Sequence, residues 1–341
     1  MSEIAVAAAD GRAALRGRLG TEAQSVAVRP DTRRALQLCL AAVWLLDGVL
    51  QYQPFMYTKA FGQMLAAGAA GNPAIIARPI TWDATLVEHH LVLLNTIFAT
   101  IQLLLGVGIA FRPTVRLALA ASIAWSLGVW WFGEGLGGVL NGGADPINGA
   151  PGAVILYALL AVLLWPADRT ARPVPFIAAR AVGAQVARAL WLVLWLSFAY
   201  FSLLAANRAP QAVNGMIASM NSGEPGWLAA VLRGAASLVA GQGLAVSVVL
   251  AVAFVLIAVS VYLPQRAAGL ARAALLLAIV VAAVIWVAAQ ALGGILASGA
   301  TDPNSAPLLV LLALAYWPAG TERTKQAARS SASDVAEGTL V

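Results

Sequence analysis

The segment Leu136-Gly137-Gly138-Val139-Leu140 is followed by Asp145-Pro146 and Ala150-Pro151, and the same pattern returns as Leu292-Gly293-Gly294-Ile295-Leu296, Asp302-Pro303 and Ala306-Pro307. On either side of it, Trp165-Pro166 returns as Trp317-Pro318 and Asn72-Pro73 as Glu224-Pro225. A series of matches that keeps its order along the chain is typical of an internal duplication. The sequence therefore predicts two copies of one structural unit.

The composition predicts that both copies lie in a membrane. Of the 341 residues, 61% are hydrophobic and 11% charged, whereas soluble domains carry roughly 25% charged residues. Apolar segments near the length that a helix needs to cross ~30 Å of hydrocarbon occupy residues 35–53, 87–111, 117–138, 150–165, 186–206, 237–262, 272–296 and 306–317. We expect an all-α membrane protein with eight transmembrane helices in two four-helix units. The fourth helix of each unit is short, because residues 306–317 span only ~18 Å of helix.

The expected organisation has five parts. They are a cytoplasmic tail (1–34), a first four-helix unit (35–170), a cytoplasmic linker (171–185), a second four-helix unit (186–318) and a second cytoplasmic tail (319–341). Because each unit crosses the membrane an even number of times, the two repeats are parallel. Cytoplasmic loops carry an excess of arginine and lysine. In this chain most of the basic residues fall on one side of the predicted spans, which is therefore predicted to be the cytoplasmic side: Arg112, Arg116, Arg169, Arg172, Arg180, Arg188, Arg266, Arg272, Arg323, Lys325 and Arg329. We expect a multi-pass protein of a bacterial plasma membrane, on the basis of its arginine-rich, lysine-poor composition, with both termini in the cytoplasm.

Charge and cysteine content exclude two classes of function. The net charge of +6 is better explained by anionic lipid at the cytoplasmic face than by nucleic acid. The single cysteine, Cys39, can form neither an intramolecular disulfide nor a dithiol redox pair. The chain is therefore not a thiol oxidoreductase by itself.

Ionisable residues within predicted spans are costly and are functional candidates by default. Asp47 lies near the outer end of the first span, Glu88 begins the second and Glu134 ends the third. We expect these three carboxyls to converge on one outer-leaflet pocket as catalytic groups, capped by the loop that contains Asp145. An equally open alternative is a structural hydrogen bond between carboxyls, one of them protonated.

Further polar and aromatic residues share faces with these carboxyls. Their helical spacing predicts that the following residues contact a cofactor together with Asp145: Trp44, Gln51, His89, Asn95 and Trp130. His89, Asp47 and Glu134 would suit a divalent transition metal, although the sequence lacks a spaced ligand motif. The alternative for His89 and its neighbour His90 is an interfacial position satisfied by water and lipid headgroups.

The second unit differs from the first at the charged positions. In the aligned repeats Glu134 is matched by Gln290, and Glu88 by Ala240. We therefore expect the first unit to carry any chemistry and the second to be scaffold or partner surface.

Three stretches resemble the DoxX/DoxD group of membrane proteins. They are Trp44-Leu45-Leu46-Asp47-Gly48, Gly133-Glu134-Gly135-Leu136-Gly137-Gly138, and the loop with Asp145-Pro146 and Ala150-Pro151. The resemblance covers nearly the whole membrane part as two fused units, and the degenerate second unit departs from it. It implies a subunit that acts with a quinone or with oxidoreductase partners.

Together these observations predict an integral membrane subunit of an oxidoreductase-type system. Its ligand, a quinone-like molecule or a divalent transition metal, would bind in the acidic pocket of the first unit, with lipid and other protein subunits as partners. Two alternatives stay open: a non-catalytic assembly or lipid-interacting subunit of a larger complex, and a metal or solute transporter. The sequence does not name a substrate, a cofactor or an oligomeric state, nor does it decide whether the chain is an enzyme.

Overall fold

A computed structural model describes residues 31–167 and 174–318 of the chain. In these ranges every regular element is a helix and no strand occurs. The helices of the first half are α1 (Thr32–Leu50), α2 (Lys59–Ala67), α3 (Ala74–His89), α4 (Leu91–Ala110), α5 (Val115–Phe132) and α6 (Ala153–Leu163). The predicted tails, apart from residues 31–34, and part of the predicted linker lie outside the described residues.

The second half repeats this order of helices after one extra turn. Its helices are α7 (Ala179–Val182), α8 (Ala184–Ser202), α9 (Ala212–Ser219), α10 (Gly226–Leu238), α11 (Gly243–Val259), α12 (Ala268–Ala288) and α13 (Ser305–Ala315). Apart from α7, each half has a long helix, a shorter pair, two long helices, an irregular loop and a short helix. The repeat seen in the sequence is therefore accompanied by a repeat of secondary structure.

Five segments are long and apolar enough to cross a membrane: Leu91–Ala110, Arg112–Phe132, Ala184–Ser202, Gly243–Tyr262 and Ala268–Ala288. In the most apolar part of each segment, only between 17% and 39% is buried inside the protein. Large apolar side chains such as Leu117 and Val249 are therefore exposed, which is expected of a surface that faces lipid rather than water. The all-helical class is thus confirmed, and the five candidate spans indicate a membrane protein.

The other three predicted spans correspond to α1, α6 and α13. Helix α1 contains Arg33, Arg34 and Asp47 within its 19 residues. Helices α6 and α13 have 11 residues each, which is ~16 Å and too short to cross the hydrocarbon alone. The total of eight spans in two units remains a prediction.

Each half contains a pair of helices that the sequence analysis did not predict as separate elements: α2 with α3, and α9 with α10. The predicted span 87–111 is wrong at its start, because the helix is interrupted at His90, which has the non-helical φ of −130° and ψ of 36°. The His90 N–H closes α3 on the carbonyls of Leu86 and Val87, and its carbonyl accepts from Leu94 N to begin α4. Glu88 therefore belongs to a different helix from Asn95.

The repeated Leu-Gly-Gly stretches form the same tight turn in both halves. Gly137 and Gly293 have φ of 61° and 78°, the left-handed region that favours glycine. A Cβ on Gly137 would lie 2.0 Å from the Pro151 carbonyl oxygen, and one on Gly293 would lie 2.4 Å from the Pro303 carbonyl carbon. The loop backbone thus passes directly over the glycine in each half.

The loops of the two halves align differently in space and in sequence. Trp130 Nε1 donates to the Pro151 carbonyl at 2.6 Å, and its repeat counterpart Trp286 donates in the same way to the Pro303 carbonyl at 2.8 Å. Pro303 therefore corresponds to Pro151, not to the proline that follows Asp145. Asp302 occupies the place that Ala150 has in the first half.

Candidate functional site

A cavity of about 290 Å3 lies in the first half, between α1 and α5. Its inner end is polar and its walls are mostly aromatic and aliphatic. The polar groups that line it include Asp47, Gln51, Glu134, Tyr157 and Asp302, and the aromatic ones include Trp44, Phe61, Phe98, Trp125 and Phe132. The expected convergence of Asp47 and Glu134 on one pocket is present.

Asp47 is held in place by two aromatic residues. The side chain is 2% exposed, and its Oδ2 accepts a hydrogen bond from the Tyr157 hydroxyl of α6 at 2.5 Å. The Tyr157 ring lies 4.3 Å, centroid to centroid, from Trp44, whose Nε1 donates to Ser122 Oγ on α5 at 3.1 Å. The other carboxylate oxygen, Asp47 Oδ1, is buried and has no hydrogen-bond partner among the described residues.

Glu134 lies where α5 ends and α6 begins. Its Oε1 accepts from the backbone N–H of Val154 at 3.1 Å, in the first turn of α6, where the unpaired N–H groups of a helix favour a carboxylate. Its Oε2 is buried and finds no partner in the described part of the chain. One oxygen of this carboxyl is thus fixed by the backbone, and the other has no described partner.

Asp302 comes from the second half, and the sequence analysis did not select it. Its Oδ1 accepts from Asn304 N at 2.7 Å and its Oδ2 from Thr301 Oγ1 at 2.8 Å. Gln53 holds this loop over the first half, because its Oε1 accepts from Gly299 N at 3.0 Å. Burial raises the pKa of the Asp302 carboxyl above its ordinary value.

Three more polar groups of the cavity are unsatisfied. Gln51 Oε1, Gln102 Oε1 and Trp125 Nε1 are buried without a hydrogen-bond partner within the described ranges. Buried polar atoms are almost always paired with protein or water. Unpaired acceptors and a donor around one cavity therefore indicate that it holds water or a polar ligand.

Asp145 does not cap this cavity, which corrects the expectation from the sequence. It lines an outer vestibule of about 330 Å3 that shares Glu134 and Asp302 with the cavity. Its Oδ1 accepts from Ile147 N at 2.7 Å, and burial raises the pKa of its carboxyl to about 6. Glu134 and Asp302 thus stand between the vestibule and the cavity.

Each of the two loops also contacts the opposite half of the chain. While the Asp302 loop covers the first half, the Asp145 loop covers the second, where the Ile147 carbonyl accepts from Gln290 Nε2 at 3.1 Å. Pro146 of the same loop lines a second-half cavity of only about 10 Å3. The two halves therefore complete each other, which qualifies the expectation that the second is scaffold alone.

The small second-half cavity is filled by apolar side chains. In the second half Phe198 takes the place of Asp47, because each of them lies three residues after a tryptophan of the first long helix, Trp195 and Trp44 respectively. Phe254 similarly corresponds to Gln102, and Leu309 to Tyr157. The polar site is thus confined to the first-half cavity.

Two residues proposed from the sequence lie away from the cavity. His89 is exposed and does not line it, and Glu88 packs against Gly62 of α2. Within residues 31–167 and 174–318 no group of three or more His, Cys, Asp and Glu side chains is placed to hold a metal ion. The structure therefore does not bring His89 together with Asp47 and Glu134, which corrects the expected metal set.

Two other proposed residues support the cavity without lining it. Asn95 is fully buried, and its Nδ2 donates to the Gln51 carbonyl at 2.7 Å, which fixes the end of α1. Trp130 holds the loop through Pro151. The lining residues that the sequence-based set left out include the polar Tyr157, Asp83, Thr301, Asp302 and Gln102, although Gln102 shares the heptad spacing of Asn95.

Comparisons of the chain with family models, with curated proteins and with solved structures found no match. The resemblance to the DoxX/DoxD group therefore stays a prediction from the sequence motifs. The cavity and its contacts are the basis on which a function is inferred.

Proposed function

We propose that the chain is a multi-pass membrane protein that binds a quinone-like ligand in the first-half cavity and serves as the membrane subunit of an oxidoreductase-type system. The observation that carries this proposal is the cavity itself, whose aromatic-walled space is lined by Asp47, Glu134 and Trp125, each with a buried polar atom that has no described hydrogen-bond partner. A quinol ring offers hydroxyl donors to carboxylate oxygens, and a quinone carbonyl accepts from an indole N–H. Its flat apolar faces match the aromatic lining.

The carboxyls supply the proton chemistry that such a ligand needs. Interconversion of quinone and quinol moves two protons together with two electrons. Asp47 and Glu134 are the groups at the cavity that take up or deliver the protons, and a redox partner protein exchanges the electrons. Glu134 also faces the outer vestibule, so protons exchange with the outer side.

The orientation follows from the charges at the helix ends. Arg112 and Arg116 lie at the start of the span that ends in α5, and Arg266 and Arg272 lie near the start of α12. The acidic loops with Asp145 and Asp302 follow the opposite ends of the same helices. We propose a bacterial plasma membrane with the basic ends in the cytoplasm and the DoxX/DoxD-type architecture of two fused units, eight spans in all.

The test is binding of a benzoquinol with a ten-carbon tail, and of its oxidised form, to the purified full-length chain in lipid nanodiscs. Asp47→Asn and Glu134→Gln each remove a carboxyl partner of the quinol hydroxyl, which costs about 1–3 kcal/mol, and should weaken binding by about fivefold or more. Glu88→Gln is the matched control, since Glu88 lies away from the cavity, and should bind as the wild type does.

Two results would contradict the proposal. One is a wild-type chain that binds neither form of the probe. The other is equal binding by the wild type, Asp47→Asn and Glu134→Gln. If the chain can be purified only together with partner subunits and binds neither form of the probe, the result would favour a non-catalytic subunit of a larger complex. The polar cluster would then have a structural role.

A further inference from the structure

The cavity reaches the lipid-facing side of α5. Ala124 lines the cavity and is nevertheless exposed. It belongs to the exposed stripe of that helix, together with Leu117, Leu127 and Trp131, which recur at helical spacing. Since Ala124 lies near the middle of a candidate span, this side of the cavity faces the hydrocarbon of the proposed membrane.

Gly128, one turn after Ala124, is not explained by helix packing. A Cβ on Gly48 or Gly106 would lie within 2.7 Å of a leucine on the facing helix, so those two glycines permit close contact of α1 with α4. A Cβ on Gly128 would meet no described atom within 4 Å. Glycine inside a helix costs roughly 0.5–1 kcal/mol relative to alanine. Its effect at this position is to keep the mouth of the cavity wide.

The second half provides an internal comparison. Trp130 and Trp286 make the same hydrogen bond in their own halves, so α5 and α12 can be aligned on these two residues. In this alignment Val280 corresponds to Ala124 and Val284 to Gly128. Both valines are more than half exposed, and the cavity behind them is about 10 Å3 instead of about 290 Å3. Small residues at the mouth thus occur together with an open cavity, and branched ones with a filled cavity.

The lining changes in character from the mouth to the inner end. The two exposed residues of the lining, Met64 and Ala124, are both apolar. At the inner end are Asp47 and Tyr157. A ligand that lies along this gradient has a polar head at Asp47 and an apolar tail at the mouth.

We infer that the ligand enters from the lipid through the opening at Ala124 and Gly128, and that it is an amphiphile whose apolar tail occupies this opening. The inference rests on the proposed function and adds the entry route and the chemical form of the ligand. A head group alone is held by the inner polar end, whereas a tailed quinol also needs the mouth.

The first experiment compares two probes, the ten-carbon benzoquinol and a benzoquinol without a tail, in nanodiscs. Ala124→Leu and Gly128→Leu fill the mouth and should weaken binding of the tailed probe by about tenfold or more, with binding of the tailless probe unchanged. Ala121→Leu is the matched control, because Ala121 is exposed on the same helix but does not line the cavity. Unchanged binding of the tailed probe by both mouth variants would overturn the inference, as would equal loss of both probes.

The second experiment needs no quinol, so it separates the inference from the proposed function. A nitroxide is attached through Gly128→Cys in a Cys39→Ser background, and its collisions with lipid-dissolved oxygen and with a water-soluble nickel chelate are measured. High accessibility to oxygen with low accessibility to the chelate supports the opening to lipid. The reverse pattern, or no access for either, overturns it even where the wild type binds quinol. If the wild type binds neither probe, the proposed function fails while this measurement still decides the opening.

Discussion

Replacement of Tyr157 by phenylalanine removes one hydroxyl from the centre of the site and leaves the ring in place. The hydroxyl donates to Asp47 Oδ2 at 2.5 Å, and both residues are almost completely buried. A buried acceptor left without its hydrogen-bond donor loses about 1–3 kcal/mol. Because Asp47 Oδ1 has no other described partner, the Tyr157→Phe variant should be less stable by about 2 kcal/mol.

Tyr316→Phe is the matched control for this prediction. Tyr316 is equally buried, but its hydroxyl donates to the carbonyl of Ala187 inside α8, which keeps its partner within the helix, so its loss should cost about 1 kcal/mol. Free energies of unfolding are measured by reversible denaturation with SDS in mixed micelles. In an Asp47→Asn background the cost of Tyr157→Phe should fall by about 1 kcal/mol, as in other pairs of directly bonded residues. The reasoning is refuted if Tyr157→Phe costs no more than Tyr316→Phe and costs the same in both backgrounds.

Three further predictions concern the loops and the glycines. Asp302→Ala, in the second half, should weaken quinol binding in the first-half cavity by about tenfold, because two hydrogen bonds that shape the loop are lost; equal affinity in a titration would show that the loop does not contribute. Asp145 has its pKa raised from 3.8 to about 6 by burial, so its contribution to stability is full below about pH 4 and is lost as the pH rises through 6. The unfolding free energy of the wild type relative to Asp145→Asn should accordingly fall by about 3 kcal/mol over that interval, and a flat difference would contradict the burial. Gly137→Ala, at φ 61° and 2.0 Å from the Pro151 oxygen, should destabilise by about 2 kcal/mol or more, whereas Gly128→Ala should stabilise by about 0.5–1 kcal/mol; thermal unfolding of the two variants would contradict the account if the order were reversed.

The features that the sequence predicts well depend on local periodicity. The helical class and the repeat follow from apolar segments and from ordered matches such as Leu136-Gly137-Gly138 with Leu292-Gly293-Gly294. Asp47 and Glu134 could be placed together because each lies a known rise above a cytoplasmic base. The break at His90 falls in the polar run Glu88-His89-His90, and no adjacent proline or glycine predicts it.

The features that the sequence missed depend on contacts between distant parts of the chain. Asp302 is far from Asp47 along the chain, and the sequence match with Asp145 assigned it to the wrong place. The second loop is shorter than the first, so Pro303 corresponds to Pro151. An alignment that allowed for this shorter loop could have revealed that Asp302 does not correspond to Asp145. No periodicity predicts that the loop of each half also contacts the other half.

The most direct test of the central claim is photolabelling of the membrane-reconstituted chain with an azido-benzoquinone, followed by mapping of the labelled peptides. The account predicts saturable labelling near Trp44 on α1 and near Thr301 in the second half, because both line the same cavity. Labelling at both positions should be lost together in Asp47→Asn. Labelling confined to the second half, or labelling that an excess of unmodified quinone does not displace, would contradict it.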